Sequence, residues 1–152
     1  MKITDHTKEQ VDALQELLQK TYDAEAGYKQ VMTKAEKEPL KNWLQEKAAR
    51  RSQFANELDL HIRKFNSEPV AKGTTLGNVH RTWIDVKSAM SFNTDEAILE
   101  ECVRGEEATI SEYKEQISNV NFNPEVRSLL ESQKEMVAAD LRTVKSLENI
   151  VS

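Results

Sequence analysis

Cysteine, glycine, proline and aromatic residues are all scarce in this 152-residue sequence. The single cysteine, Cys102, excludes an internal disulfide, and without a Cys-x-x-Cys pair there is no zinc knuckle or dithiol redox motif. Four glycines and three prolines, about 5% of the chain against an ordinary ~12%, leave too few turn residues for a sheet protein built on tight hairpins. No run approaches the ~20 apolar residues of a membrane span, and Met1-Lys2-Ile3-Thr4-Asp5-His6 opens into polar sequence without a signal-peptide core. A cytoplasmic protein without membrane attachment is expected. Grouped cations are missing too: 21 basic residues stand against 26 acidic ones, a net charge of -5, and the Arg50-Arg51 pair is too little for a nucleic-acid surface. There is no serine-histidine-acid grouping, phosphate-cradling glycine loop, dinucleotide fingerprint or zinc-protease motif, so no catalytic residue is assigned.

What the sequence has in abundance is charge, 31% of residues, interleaved with apolar side chains in steps of three and four, the repeat of one helix face. Val11, Leu14, Leu18, Thr21, Glu25, Tyr28, Met32 and Ala35 predict a helix over about 7–37. The Glu38-Pro39 step breaks it, and Pro39 suits the first turn of a second helix, about 40–66, with Leu44, Ala48, Arg51, Ala55, Leu58, Ile62 and Phe65 facing inward. Residues 67–74 read as loop. Leu76, Val79, Trp83, Val86 and Met90 then predict a shorter helix over about 75–90.

Asn93-x-x-Glu96 has the form of a capping box for a helix over about 94–119, with the stripe Leu99, Cys102, Glu106, Thr109, Tyr113, Gln116 and Val120. Gly105 within it suggests a close helix–helix approach. Asn123-Pro124 opens the last helix, about 124–151, whose stripe is Val126, Leu130, Gln133, Val137, Asp140, Val144, Leu147 and Val151. Two short loops and one long connection, roughly 27 residues between Phe65 and Asn93, describe an all-α four-helix bundle with a single crossover, the ferritin-like arrangement, in one domain over 1–152.

Each inner face carries polar residues where a bundle ordinarily places apolar ones: Glu25, Arg51, Glu106, and both Gln133 and Asp140. Glu25 lies 13 residues before position 38 and Arg51 lies 13 after it, so the two stand at one height in an antiparallel pair. Glu106 falls opposite Val137, and a crossover spanning the bundle brings all of these to mid-height. A buried polar network of Glu25, Arg51, Glu106 and Gln133, with Tyr28 and Tyr113 beside it, is the resulting expectation.

Helices one and three also echo each other in register, Leu18-x2-Thr21-x3-Glu25 against Leu99-x2-Cys102-x3-Glu106. With the segments Asp23-Ala24-Glu25-Ala26-Gly27-Tyr28, Gln53-Phe54-Ala55-Asn56-Glu57-Leu58, His80-Arg81-Thr82-Trp83-Ile84-Asp85-Val86-Lys87 and Ile98-Leu99-Glu100-Glu101-Cys102-Val103-Arg104-Gly105-Glu106, nearly the whole chain resembles an uncharacterised bacterial four-helix-bundle family of the ferritin-like superfamily. In di-iron members of that superfamily, helices one and three each supply one glutamate and helices two and four a Glu-x-x-His. The resemblance implies that Glu25 and Glu106 are the single glutamates and that Fe or Mn is the metal. The other helices depart from the pattern, offering Glu57-x3-His61 and Glu135-x2-Ala138.

Three readings of the polar residues stay open. Glu25, Arg51 and Glu106 form an ion network that fixes helix register; or Glu25 and Glu106, with Asp140, Gln133 or water, hold an atypical metal site; or the glutamates snorkel out of the core. The corresponding functions are a non-catalytic structural or interaction protein, and a di-metal carboxylate protein or oxidoreductase. For the first, the stripe around Trp83 either covers the bundle or forms the face of a homodimer.

Overall fold

The computed structural model of the chain describes residues 5–72 and 95–151. Among these residues, four helices account for the regular structure: α1 (Asp5–Met32), α2 (Glu38–Lys64), α3 (Asp95–Asn119) and α4 (Pro124–Val151). The helix expected over 75–90, with its Trp83 stripe, and Asn93 of the expected capping box lie outside the described residues.

α1 ends five residues before the expected position 37. The hydroxyl of Thr33 donates to the Gln30 carbonyl at 2.7 Å, diverting an acceptor that the next turn would use. The Asp95 carboxylate then accepts the backbone N–H groups of Glu36 and Lys37, each at 2.8 Å. Ala35 stays buried beyond the helix end, which is why the apolar stripe runs past it. α2 begins with Pro39 in its first turn, where a missing N–H costs nothing. Its C-terminus closes in a Schellman motif: Asn66, at φ 61°, donates to the Arg63 carbonyl while Ser67 N–H reaches back to Ile62. At the start of α4 the Asn123 side chain accepts the Val126 N–H at 2.9 Å, a capping bond at the third helical position.

α1 and α2 pack as one antiparallel hairpin and α3 and α4 as another, with smaller α2–α4 and α1–α3 seams. Asp95 sits at the α1–α2 turn, and Asn123 N–H donates to Gln10 near the start of α1. α3 therefore runs antiparallel beside α1 and α4 antiparallel beside α2, so the two ends of the connection after α2 lie a bundle length apart, about 40 Å at 1.5 Å per residue. Its first residues are tied to α1: Gln15 bonds both the Glu68 carbonyl and the Val70 N–H, and Lys72 pairs with Glu25.

The apolar core falls into two clusters. One, at the α1–α2 turn, includes Tyr28, Leu40, Trp43, Ala48, Leu99, Cys102 and Val144. The other, at the α3–α4 turn, includes Leu14, Leu18, Ala55, Leu58, Tyr113, Ile117 and Leu130. On each helix the polar inner positions fall between the two: Thr21 on α1, Arg51 on α2, Glu106 on α3, Gln133 and Asp140 on α4, all buried.

Candidate functional site

Among the described residues Arg51 is the largest fully buried side chain, 1% exposed. Its guanidinium lies between two aromatic faces, 5.9 Å from the Tyr28 ring centroid and 5.6 Å from that of Phe54. Nη2 donates to Oε1 of Glu106 at 2.5 Å, and the Tyr28 hydroxyl donates to the same oxygen. A buried guanidinium of this kind must find a carboxylate, and the flat aromatic faces accept its weakly hydrated plane. Oε2 of Glu106 is buried and takes no hydrogen bond from the described residues.

A second ion pair stands one helical turn away. Lys47 Nζ meets Oδ1 of Asp140 at 2.8 Å, with 6% of each side chain exposed, and Lys47 lies 5.6 Å from the Trp43 ring centroid. Arg50 Nε approaches Oδ2 of Asp140 at 3.5 Å. Nothing in the reading of the sequence singled out Lys47, although it is four residues before Arg51 and so on the same face of α2.

Glu25 departs from the expected arrangement. It is buried but turns to lysines at its own edge of the bundle: Lys29 Nζ bonds Oε2 at 2.9 Å and Lys72 Nζ bonds Oε1 at 2.9 Å. Tyr28, one turn further along α1, takes the place beside Arg51 and Glu106 that the height count assigned to Glu25. Gln133 bridges in another direction: it accepts from the Tyr113 hydroxyl at 2.6 Å and donates to Glu57 at 3.1 Å.

Burial raises the pKa of Glu106 despite the opposing pull of Arg51 and Tyr28. Burial, the largest single influence, would lower that of Arg51, but Glu106 together with Tyr28, Tyr113 and Asp140 outweighs it and the guanidinium stays charged. The Tyr28 phenol is raised well above its usual range, by burial first and then by Glu106. Glu25 goes the other way: burial works against its charge, yet the hydrogen bonds from Lys29 and Lys72 hold it below the ordinary carboxylate value.

Of the other histidines and cysteine, His61 is near-buried on α2, with its pKa lowered by burial and then by Lys64. His6 is exposed, and Cys102 is a buried thiol. Among the described residues no group of three or more His, Cys, Asp or Glu side chains comes together in a way that could hold a metal ion. The described residues do not fit a dinuclear metal centre. Each candidate carboxylate already has its own cation: Glu25 has Lys29 and Lys72, Glu106 has Arg51, Asp140 has Lys47 and Arg50. No imidazole among the described residues joins them.

A cavity of about 190 Å³ opens in the α1–α3 seam and is lined by Thr21, Arg51 and Tyr113, with Lys20 and Glu112 also in its wall. Lys20 and Glu112 pair across the seam at 2.8 Å.

The fold is shared with solved structures. A mutant of Dps1 from Mycobacterium smegmatis superposes with a TM-score of 0.76 at 15% identity, over 95% of this chain and 99% of that one. Dps92 from Deinococcus radiodurans gives the same TM-score and identity, over 95% of this chain and 88% of its own. At that identity the likeness establishes a ferritin-like four-helix fold. No curated protein matches the sequence. Residues 9–119, most of the chain including Glu25, Arg51 and Glu106, match a single family, and the chain belongs to it: the domain of unknown function DUF2383.

Proposed function

We propose that the chain is a non-catalytic ferritin-like bundle, one domain over 1–152, in which a buried polar layer stands in place of a full di-iron site and whose work is association. The observation that carries this reading is the pairing of each candidate metal ligand with a basic side chain of its own, Arg51 on Glu106 above all. A buried carboxylate needs positive charge beside it, and an arginine or lysine supplies that charge as a metal would. A second copy of the chain, through the stripe Leu76, Val79, Trp83, Val86 and Met90, is the proposed partner. A cytoplasmic location belongs to the same reading. In its support, no helix among the described residues is long and apolar enough to cross a membrane.

The test is an anaerobic Fe(II) and Mn(II) titration with bound metal counted by elemental analysis, alongside Glu25→Ala/Glu106→Ala. Wild type is expected to hold no more metal than the double variant. Stoichiometric binding that disappears in the double variant would overturn the reading in favour of an atypical Fe or Mn carboxylate protein, for which oxidase and peroxidase assays then follow. Among the described residues, two buried carboxylate oxygens without hydrogen bonds, Glu106 Oε2 and Asp140 Oδ2, speak for that alternative. Association is read by light scattering: Trp83→Ala is expected to lower the mass, and an unchanged mass with lost stability would assign Trp83 to the core instead.

A further inference from the structure

Lys47 and Arg51 lie four residues apart on one face of α2 and meet acids from two different helices, Asp140 of α4 and Glu106 of α3. The four side chains sum to zero charge, and each is almost fully buried. Two carboxylate oxygens in this group, Glu106 Oε2 and Asp140 Oδ2, are buried acceptors that take no hydrogen bond from the described residues. They retain ligand capacity for a cation. The α1–α3 cavity reaches Arg51, and at about 30 Å³ per water it has room for several water molecules, so a hydrated ion has a way to the layer.

We infer that the metal-free character of this core is imposed by charge: Lys47 and Arg51 are built-in counter-ions that exclude divalent cations from a latent Glu106–Asp140 site. The inference rests on the proposed function above and adds its cause. A divalent ion entering the neutral group would leave a net charge of two in a poorly solvated interior, the situation that buried ionic groups avoid. Glutamine at both positions removes the charge and keeps a polar, shorter side chain, so binding that tightens again when Arg50 at the bundle edge is neutralised marks charge rather than space as the cause. Arg50, which reaches Asp140 from the bundle edge at 3.5 Å, is the third cation of the set and gives a graded test.

The experiment compares wild type, Lys47→Gln/Arg51→Gln and Lys47→Gln/Arg50→Gln/Arg51→Gln, each titrated with Mn(II) and followed by elemental analysis and by helical circular dichroism on heating. Wild type is expected to bind none and to melt identically with and without Mn(II). The double variant is expected to take up about one Mn(II) per chain, as a site of two deprotonated carboxylates would. The triple variant should bind it more tightly. If the variants unfold without metal, Mn(II) is expected to restore their helical signal. Variants that fold yet bind no more Mn(II) than wild type would overturn the inference while leaving the proposed function standing. So would unfolded variants that Mn(II) does not restore. Binding by wild type itself would instead overturn the proposed function.

Discussion

Arg51 of α2 donates from Nη2 to Oε1 of Glu106 in α3 at 2.5 Å, and with 1% and 0% of their side chains exposed the two are partners without water between them. Removing one partner of such a pair is expected to cost about 3–5 kcal/mol, since the other is left as a buried, uncompensated charge. Arg51→Met and Glu106→Leu should each show that loss in urea unfolding. The double variant should recover most of it, less about 1 kcal/mol for the Tyr28 hydroxyl that loses its acceptor. Additive losses in the double variant would mean that the two residues act separately.

Glu25 provides the pH signal. Its folded-state pKa is below the ordinary 4.5, so its contribution to stability is complete above that value and is lost as pH falls through the native pKa. Both lysines are more than half exposed, which screens the effect to below about 1 kcal/mol. The urea midpoint of Glu25→Gln should lie under that of wild type at pH 7, and the gap should close as pH drops below 4.5. A gap unchanged down to strong acid would mean that Glu25 contributes by packing alone.

Asp95 ties the first residue of α3 to the α1–α2 turn by accepting two backbone N–H bonds. Asp95→Ala is expected to destabilise the bundle by about 1–2 kcal/mol, with Asp95→Asn intermediate. Hydrogen exchange at the Glu36 amide should accelerate in the alanine variant more than at amides in the middle of α2.

Cys102 is buried, and burial raises its thiol well above the usual pKa. A thiol reagent at pH 8 should therefore leave the native protein unmodified and label its single cysteine once urea unfolds the chain. Rapid labelling without denaturant would show that the core cluster at the α1–α2 turn opens locally.

Much of the fold is legible in the sequence because helix faces and their punctuation are local properties. The α2 stop at Asn66 and the Asn123 cap of α4 sit where the breaker residues indicate. The end of α1 is not local: the stripe continues to the buried Ala35, while the helix gives way to a turn held by Asp95, 59 residues beyond Glu36. At the candidate site, polar residues on inner faces are visible as an irregularity of the stripe. Their pairing is not, because a lysine or arginine stem reaches neighbours on several helices. Glu25 and Arg51 share a height by residue count, yet Lys29 and Lys72 take the first and Glu106 the second. Lys47 is hidden for the same reason, since a lysine beside an apolar stripe ordinarily stretches out to solvent.

The doubled ion pair on α2 also sets the mutational paths open to this bundle. Any route from this core to one that welcomes a cation passes through a single replacement at Lys47 or Arg51: the second leaves Glu106 buried without its cation, and the first leaves Asp140 only Arg50, at 3.5 Å. A penalty of about 3–5 kcal/mol is large against the roughly 5–15 kcal/mol that holds a domain of this kind together. Intermediates on that route are poorly folded before they gain anything, so the layer acts as an evolutionary ratchet, open to drift at its lysine-fringed edge around Glu25 and closed at Arg51 and Glu106.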